Sequence, residues 1–280
     1  MSLTAVLRDG SAIAYLNRHI NKPNVPTCVK PTVPSGEFHP GTVGTAFELL
    51  MVQGLRHRFP STGHVRSAER GIAFLEADWS CFSDEISDRV LEYIKPAIPV
   101  LADLGGERVP TDDHIRASIM LAHAVSFFRA PTWWAFRYWR VLDIVEREVP
   151  RAVLDEMKRM YELVPWHEFE PKERLFVNPE FGQATQALWG ADADMVVDDI
   201  MLDIKTTRRC SVGIKAIRQL VCYALLGNRY GLDGEPPFDS INRVGVYLAR
   251  SGQLHVFDLR ECVAEQGEEA VVKMLMGWYS

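Results

Sequence analysis

Two short segments of alternating polar and apolar residues, joined by a pair of aspartates, constrain the fold of this chain more than any other feature. The segments are ADADMVV at 191–197 and IMLDIKTT at 200–207. Because alternate side chains of a strand share a face, each segment predicts a β-strand with one polar face. Asp198 and Asp199 lie between them, and two residues are the commonest length of a hairpin loop. The pattern therefore predicts an antiparallel hairpin.

The register of this hairpin brings acidic side chains together. A two-residue turn sets Asp194 opposite Asp203 and Asp192 opposite Lys205. Directly opposed residues have Cβ atoms about 4.5–5.5 Å apart, and like charges at that distance destabilise the pair. Two apposed carboxylates need a shared proton or a cation, and oxygen ligands suit Mg²⁺ or Mn²⁺. Taken alone, these residues fit either a metal site or a solvent-exposed hairpin with a polar face.

The residues after the hairpin predict the fold class. A helical pattern covers 212–228, and strand patterns cover 243–248 and 253–259. The order strand, strand, helix, strand, strand is typical of an α/β domain. We therefore predict a mixed central sheet flanked by helices.

The central part of the chain has a different periodicity. Residues 56–170 carry apolar side chains at spacings of three and four, which is typical of helices. We predict a single domain over 1–280, with a core formed by about 41–55 and 175–280 and a large helical insertion over about 56–170. An aromatic cluster in the insertion fits either a helix-packing core or a platform for stacking bases. Its members are Trp133, Trp134, Phe136, Tyr138 and Trp139.

Cysteine usage and the absence of long apolar runs indicate the cellular compartment in which we expect the protein. The five cysteines are odd in number and widely spread, without a C-x-x-C pair, which argues against a zinc ribbon and a disulfide framework. The first residues lack a signal-peptide pattern. No apolar run approaches the roughly 18–20 residues that cross a bilayer. We expect a cytoplasmic protein without a membrane partner.

Positive charge is concentrated beside the predicted hairpin, although the chain carries a formal net charge of −6. Between Ile204 and Leu232 there is no acidic residue. Six basic residues lie in this stretch: Lys205, Arg208, Arg209, Lys215, Arg218 and Arg229. Binding depends on the local field rather than on the net charge, so this stretch suits a polyanionic substrate. For Arg229 alone, a solvated helix face is the simpler interpretation.

Three motifs resemble the PD-(D/E)XK nuclease superfamily, and within it the RecB/Cas4-like exonuclease branch. They are G-x-D-x-D-M-V-V at 190–197, L-D-I-K-T-T at 202–207 and R-Q-L-x-x-Y at 218–223. The resemblance implies a restriction-endonuclease-like core. It also implies roles for individual residues: Asp194 and Asp203 as metal ligands, the Ile204 carbonyl as a third contact, Lys205 as the catalytic lysine, and Gln219 and Tyr223 beside the site.

The same branch tends to supply an acid from an early helix, and Glu48 is the match here. The helical pattern here begins at Thr45, and Glu48 is the only polar residue within AFELLMV at 46–52. A carboxylate in such a stretch is costly to bury unless it is paired or binds a metal. An exposed glutamate on a helix edge is the alternative.

The chain also departs from the pattern of the branch. Cas4-like proteins carry clustered C-terminal cysteines around an iron–sulfur cluster, whereas this chain has only Cys262 there, so we predict no cluster. Ala193 stands where the superfamily name has proline. No phosphate-loop motif occurs, so the chain contains no helicase motor of its own.

These observations predict a function. We expect a divalent-metal-dependent nuclease that uses Mg²⁺ or Mn²⁺ to hydrolyse phosphodiester bonds, acting on DNA as an exonuclease. Arg208, Arg209, Lys215 and Arg218 are the predicted nucleic-acid contacts, and a helicase or recombination protein is a candidate partner. The alternatives are a non-cleaving nucleic-acid-binding module of the same fold and a metal-dependent hydrolase of another phosphate ester. The residues do not predict an oligomeric state.

Overall fold

The fold is that of a computed structural model that describes most of the chain. The described residues are 3–26, 30–33, 38–59, 72–73, 75–76, 83–106, 108–129, 140–188, 193–209, 211–237, 241–264 and 266–277. Asp192 and the aromatic cluster at 133–139 lie outside them, so the predictions made for those residues stay predictions.

The described residues form a mixed sheet of five strands. The strands are β1 (Leu175–Val177), β2 (Met195–Val197), β3 (Ile200–Lys205), β4 (Arg243–Leu248) and β5 (Gln253–Asp258). They are ordered β1-β2-β3-β4-β5, with β3 and β4 parallel and the other neighbours antiparallel. The predicted mixed sheet is confirmed. The sequence analysis missed β1, because three residues are too few to show an alternating pattern.

The predicted hairpin is present in the predicted register, but β2 begins at Met195, so Asp194 lies just before the strand and not within it as predicted. Val197 pairs with Ile200, and Met195 pairs with Leu202, so Asp194 is the next residue toward Asp203. The loop between β2 and β3 therefore contains two residues, as the spacing of the two strand patterns requires.

The two aspartates of the turn hold the sheet together rather than facing the predicted site. Asp198 adopts a left-handed conformation with φ of 52°, and its carboxylate accepts hydrogen bonds from three backbone N–H groups at 172–174. Burial raises the pKa of Asp198, but these bonds outweigh burial and leave the pKa below its ordinary value. Asp199 forms an ion pair with Arg243 at the start of β4.

Helices cover both faces of the sheet. They are α1 (Leu3–Val6), α2 (Gly10–His19), α3 (Pro40–Arg58), α4 (Asp84–Ile94), α5 (Ala97–Ala102), α6 (Asp112–Arg129), α7 (Val141–Val145), α8 (Arg151–Glu162), α9 (Gln183–Ala187), α10 (Ile214–Tyr230), α11 (Leu259–Cys262) and α12 (Gly267–Gly277). Within the described part of the chain, no helix has both the length and the apolar composition of a bilayer span.

Alternation along the strands separates two apolar cores. Leu202 and Ile204 of β3 belong to the core that contains α3 and helices α4 to α8. Met201 belongs to the core that contains α2, α10 and α12. Asp203 shares the strand face of Met201, so it faces the α10 side of the sheet.

Helix α10 lies close to its prediction, at 214–230 instead of 212–228. Helix α3 begins at Pro40, five residues before the predicted start at Thr45. Proline suits the first turn of a helix because the N–H that it lacks has no partner there. His39 caps this end, since its Nδ1 accepts a hydrogen bond from the N–H of Thr42.

A buried ion pair joins the helical zone to the sheet near the end of β3. Arg250, two residues after β4, pairs with Glu156 of α8, and both side chains are only 4% exposed. Arg250 also donates from Nε to the Thr206 carbonyl at 2.6 Å, and from Nη1 to the Val33 carbonyl at 3.4 Å. One guanidinium therefore links α8, the loop at residue 33 and the end of β3.

Replacing Glu156 by leucine should destabilise the fold strongly. The change removes the carboxylate that Arg250 faces in the interior, and breaking a buried pair costs about 3–5 kcal/mol. Unfolding in denaturant measures the loss, and the double variant Glu156→Leu/Arg250→Met should recover part of it. Glu269→Ala, which removes an exposed ion pair with Lys273, is the control and should change stability little. Equal losses in the two single variants would contradict the role of the buried pair.

Candidate metal centre

Residues from four elements line one cleft of about 660 Å³ at the end of β3. The predicted site residues among them are Glu48 of α3, Asp194 before β2, Asp203, Ile204 and Lys205 of β3, and Gln219 of α10. These positions are up to 171 residues apart in the sequence, so the fold brings them together.

Close packing of α3 against the end of β3 places Glu48 in the cleft. A Cβ atom on Gly44 would lie 3.2 Å from Oγ1 of Thr206, so the missing side chain allows the helix to approach the strand. Glu48 lies one helical turn further along and shares the face of Gly44. It is 8% exposed, so of the two interpretations the structure supports the buried carboxylate.

Asp203 is a buried carboxylate with one oxygen satisfied and one not. The residue is 5% exposed, and Oδ1 accepts a hydrogen bond from Nζ of Lys205 at 2.7 Å. Oδ2 is buried and has no hydrogen-bond partner among the described residues. Burial raises the pKa of Asp203, the negative charge of Asp194 adds to the rise, and Lys205 offsets part of it. The single ammonium group of Lys205 therefore does not fully compensate the burial of this carboxylate beside Asp194.

Lys205 faces three carboxylates. Burial alone would lower the pKa of its ammonium group, but the charges of Asp203, Asp194 and Glu48 outweigh burial and raise that pKa. Lys205 is therefore a cation at neutral pH. It is suited to stabilise negative charge, and it is not suited to accept a proton.

Asp194 is held beside β3 by a backbone hydrogen bond. Its Oδ2 accepts from the N–H of Ile204 at 2.6 Å. This bond aligns Asp194 with the strand that carries Asp203, and the two carboxylates interact electrostatically. Asp194 and Asp203 therefore lie close together, as the predicted register requires.

Asn178 joins two of these acids, and the sequence analysis missed it. Its Nδ2 donates to Oε1 of Glu48 at 2.7 Å, and its backbone N–H donates to the Asp194 carbonyl at 2.9 Å. Its φ of 47° is left-handed, a conformation that asparagine tolerates better than most residues. Its Oδ1 is buried without a hydrogen-bond partner in the described part of the chain. The Asn-Pro dipeptide at 178–179 signals a turn, but nothing in it points to Glu48.

Gln219 and Tyr223 lie on one side of α10, as the resemblance implies. Nε2 of Gln219 donates to Oη of Tyr223 at 3.2 Å. Gln219 lines the cleft, whereas Tyr223 is buried behind it and stacks on Phe181 with ring centroids 5.2 Å apart. Tyr223 therefore supports Gln219 from the core.

Of the four basic residues predicted to contact nucleic acid, two line the cleft and two do not. Arg208 and Arg209 line the cleft. Lys215 is exposed on the first turn of α10, and Arg218 donates a hydrogen bond to Asn17 of α2, so neither lines the cleft. Two arginines that the sequence analysis did not single out, Arg129 of α6 and Arg250, also line it. Their distance in sequence from the hairpin explains why no local pattern indicated them.

The donor set fits a hydrated divalent cation. Among the described residues, there is no group of three or more histidine, cysteine or acidic side chains placed to hold a metal ion together. Mg²⁺ does not require one, because it keeps several waters and commonly takes only one or two protein carboxylates. Asp194 and Asp203, with the unsatisfied Oδ2, provide two carboxylates. Glu48 and the Ile204 carbonyl are the further contacts that the resemblance implies.

Comparison with known proteins does not assign the chain to a family. No family model, no curated protein and no solved structure matches this chain significantly. The chemistry of the cleft therefore has to be argued from its own geometry.

Divalent metal should stabilise the protein through this cleft. A ligand that binds only the folded state adds about 2.7 kcal/mol at a hundredfold excess over Kd. We expect millimolar Mn²⁺ to raise the melting temperature and Asp203→Asn to abolish the increase. Asp199→Asn is the matched control, because Asp199 lies on the same hairpin but pairs with Arg243. If Mn²⁺ does not change the melting temperature of the wild type, or raises that of Asp203→Asn equally, the metal site is excluded.

Proposed function

We propose that the protein is a divalent-metal-dependent nuclease that hydrolyses phosphodiester bonds of DNA at strand ends. The observation that carries the proposal is the buried Asp203, whose Oδ2 has no hydrogen-bond partner among the described residues, next to Asp194 and Lys205. Acids paired in this way, with a lysine on the same strand face, suit metal-assisted phosphoryl chemistry. The motif resemblance supports the same reaction, and it is the basis for proposing DNA and exonuclease action.

Each side chain has a role that follows from its surroundings. Asp194 and Asp203 would hold a Mg²⁺ or Mn²⁺ ion, which would supply Lewis-acid chemistry and a bound water of lowered pKa. Lys205 remains an ammonium group and stabilises the negative charge that develops on the phosphate. The amide of Gln219 orients a polar group of the substrate in the cleft, and Asn178 holds Glu48 in place through a hydrogen bond. The arginines that line the cleft attract and hold the backbone phosphates.

The non-cleaving alternative has a different signature. A binding module that had lost activity would be expected to lack an acid or the lysine of the site. Asp194, Asp203 and Lys205 are all present and face the same cleft. This favours a cleaving enzyme.

Asp203→Asn should abolish hydrolysis. The substitution keeps the shape of the side chain and removes the charge that a metal requires. The assay follows linear and circular DNA, single-stranded and double-stranded, with Mg²⁺, with Mn²⁺ and with EDTA. We expect the wild type to degrade linear DNA only when metal is present. The rate of degradation should be at least about a hundredfold lower for Asp203→Asn. Asp199→Asn, the control, should degrade DNA at nearly the wild-type rate. Wild-type turnover by purified Asp203→Asn would refute the assignment.

Lys205→Ala and Arg208→Ala should fail in different ways. Lys205 lies at the reacting phosphate, so its loss should lower the single-turnover rate at saturating substrate by about 10²–10³-fold. Arg208 lies in the exposed segment after the strand, so its loss should weaken binding and reduce the salt slope by about one unit. The rate at saturation should be nearly unchanged.

Arg229→Ala is the control for both variants, because Arg229 lies at the last turn of α10 and does not line the cleft. If Lys205→Ala changes only affinity, as Arg208→Ala does, Lys205 belongs to a binding surface and the catalytic role is wrong.

A further inference from the structure

A second cavity of about 640 Å³ lies beside the metal cleft, and the proposed reaction does not use it. Its walls are the first two turns of α3 with the two residues before it, the last two turns of α6, and α7 with Arg140 before it and Arg147 after it. Gly41, Thr45 and Arg129 line both this cavity and the cleft. The two cavities therefore adjoin, and a chain molecule held in one can extend into the other.

The interior of the second cavity is apolar. Phe38, Ala122 and Val125 are buried residues of its wall, and Ile144 is a half-buried one. Cavities that hold small organic ligands have volumes of about 300–1,000 Å³ and are lined mainly by apolar and aromatic side chains. This interior suits a flat group of low polarity.

Positive charge lies around that interior. Arg129, Arg140 and Arg147 contribute three guanidinium groups, and Asp143 is the one acid among the described lining residues. Nε of Arg140 is 4.0 Å from the Asp143 carboxylate, and the guanidinium of Arg147 lies 5.5 Å from the centre of the Phe38 ring. Arginine presents a planar fork that matches a phosphate. The cavity therefore combines an apolar interior with sites for an anion.

Two histidines add polar groups to the cavity. His39 accepts a hydrogen bond from the Thr42 N–H at Nδ1, which leaves its Nε2 for other partners. Burial lowers the pKa of His123 to about 4, with a smaller contribution from His39, so His123 is neutral at physiological pH. A few polar groups in an apolar pocket orient a ligand.

We propose that the second cavity binds one unpaired nucleotide of the substrate strand, next to the phosphate in the cleft. The base occupies the apolar interior, and the phosphate contacts the arginines. This inference depends on the proposed function for the class of substrate, but binding in the cavity requires neither metal nor cleavage. A base enters such a pocket only after it leaves the stack. The cavity would therefore favour a single strand or a frayed end over intact duplex.

The test measures Kd for a fluorescent oligothymidylate in EDTA, with an abasic nucleotide placed at each position in turn. Stacking of a base contributes about 1–3 kcal/mol. We therefore expect one position at which the abasic nucleotide raises Kd about tenfold. Ile144→Trp fills the cavity from its half-buried wall and should remove this position-specific loss. The same loss in Ile144→Trp, or no sensitive position in the wild type, would overturn the inference, as would failure of the wild type to bind.

A second variant covers misfolding of Ile144→Trp. Arg147→Ala changes an exposed side chain of the cavity and should weaken binding of the intact oligonucleotide about tenfold. Arg159→Ala removes an exposed arginine of α8 that lines neither cavity, and it should bind like the wild type. Equal weakening by both arginine variants would mean nonspecific attraction and would refute the pocket.

The outcome separates the pocket from the proposed reaction. If binding is position-specific but purified Asp203→Asn cleaves DNA like the wild type, the nucleotide pocket is supported and the proposed metal-dependent reaction is refuted. Metal-dependent cleavage without a sensitive position would leave the nuclease and remove the pocket.

Discussion

Asp203 is buried and pairs with the partly exposed Lys205, and the remainder of the site is arranged around the incomplete charge balance of this ion pair. One oxygen of Asp203 meets the lysine and the other has no hydrogen-bond partner within the described residues, while Asp194 and Glu48 add two further carboxylates to the surroundings. A single ammonium group does not neutralise three acids in an interior where charges are poorly screened. In the proposed function, a divalent cation with its own waters would supply the missing charge and would also bind a phosphate.

Two polar side chains far from the hairpin in sequence maintain this arrangement. Asn178 connects Glu48 with the backbone of Asp194, so α3 is linked to the residue that precedes β2. Arg250 anchors the end of β3 to α8 through Thr206 and Glu156. Changes in the helical zone should therefore be transmitted to the cleft through hydrogen bonds, and the helical layer is part of the architecture of the site.

Prediction from the sequence worked best where the information was local. The hairpin register, the helix after it and the strands β4 and β5 were predicted within about two residues, because alternation and turn length specify them directly. Strand β1 was missed, since its three residues owe their conformation to pairing with β2. The start of α3 was placed too late, because its first turn depends on a proline and a histidine cap and has no apolar pattern.

The sequence by itself determined which chemistry is available: two acids and a lysine at alternating positions of a hairpin, a lone glutamate in an apolar helix and a basic stretch free of acids. Only the tertiary structure decided that Glu48 reaches the hairpin, that Arg129 and Arg250 line the cleft, and that Arg218 turns away to Asn17. The physical reason is the range of the interactions. Strand alternation and helix periodicity act over a few residues, whereas burial and charge balance depend on contacts between residues more than a hundred positions apart.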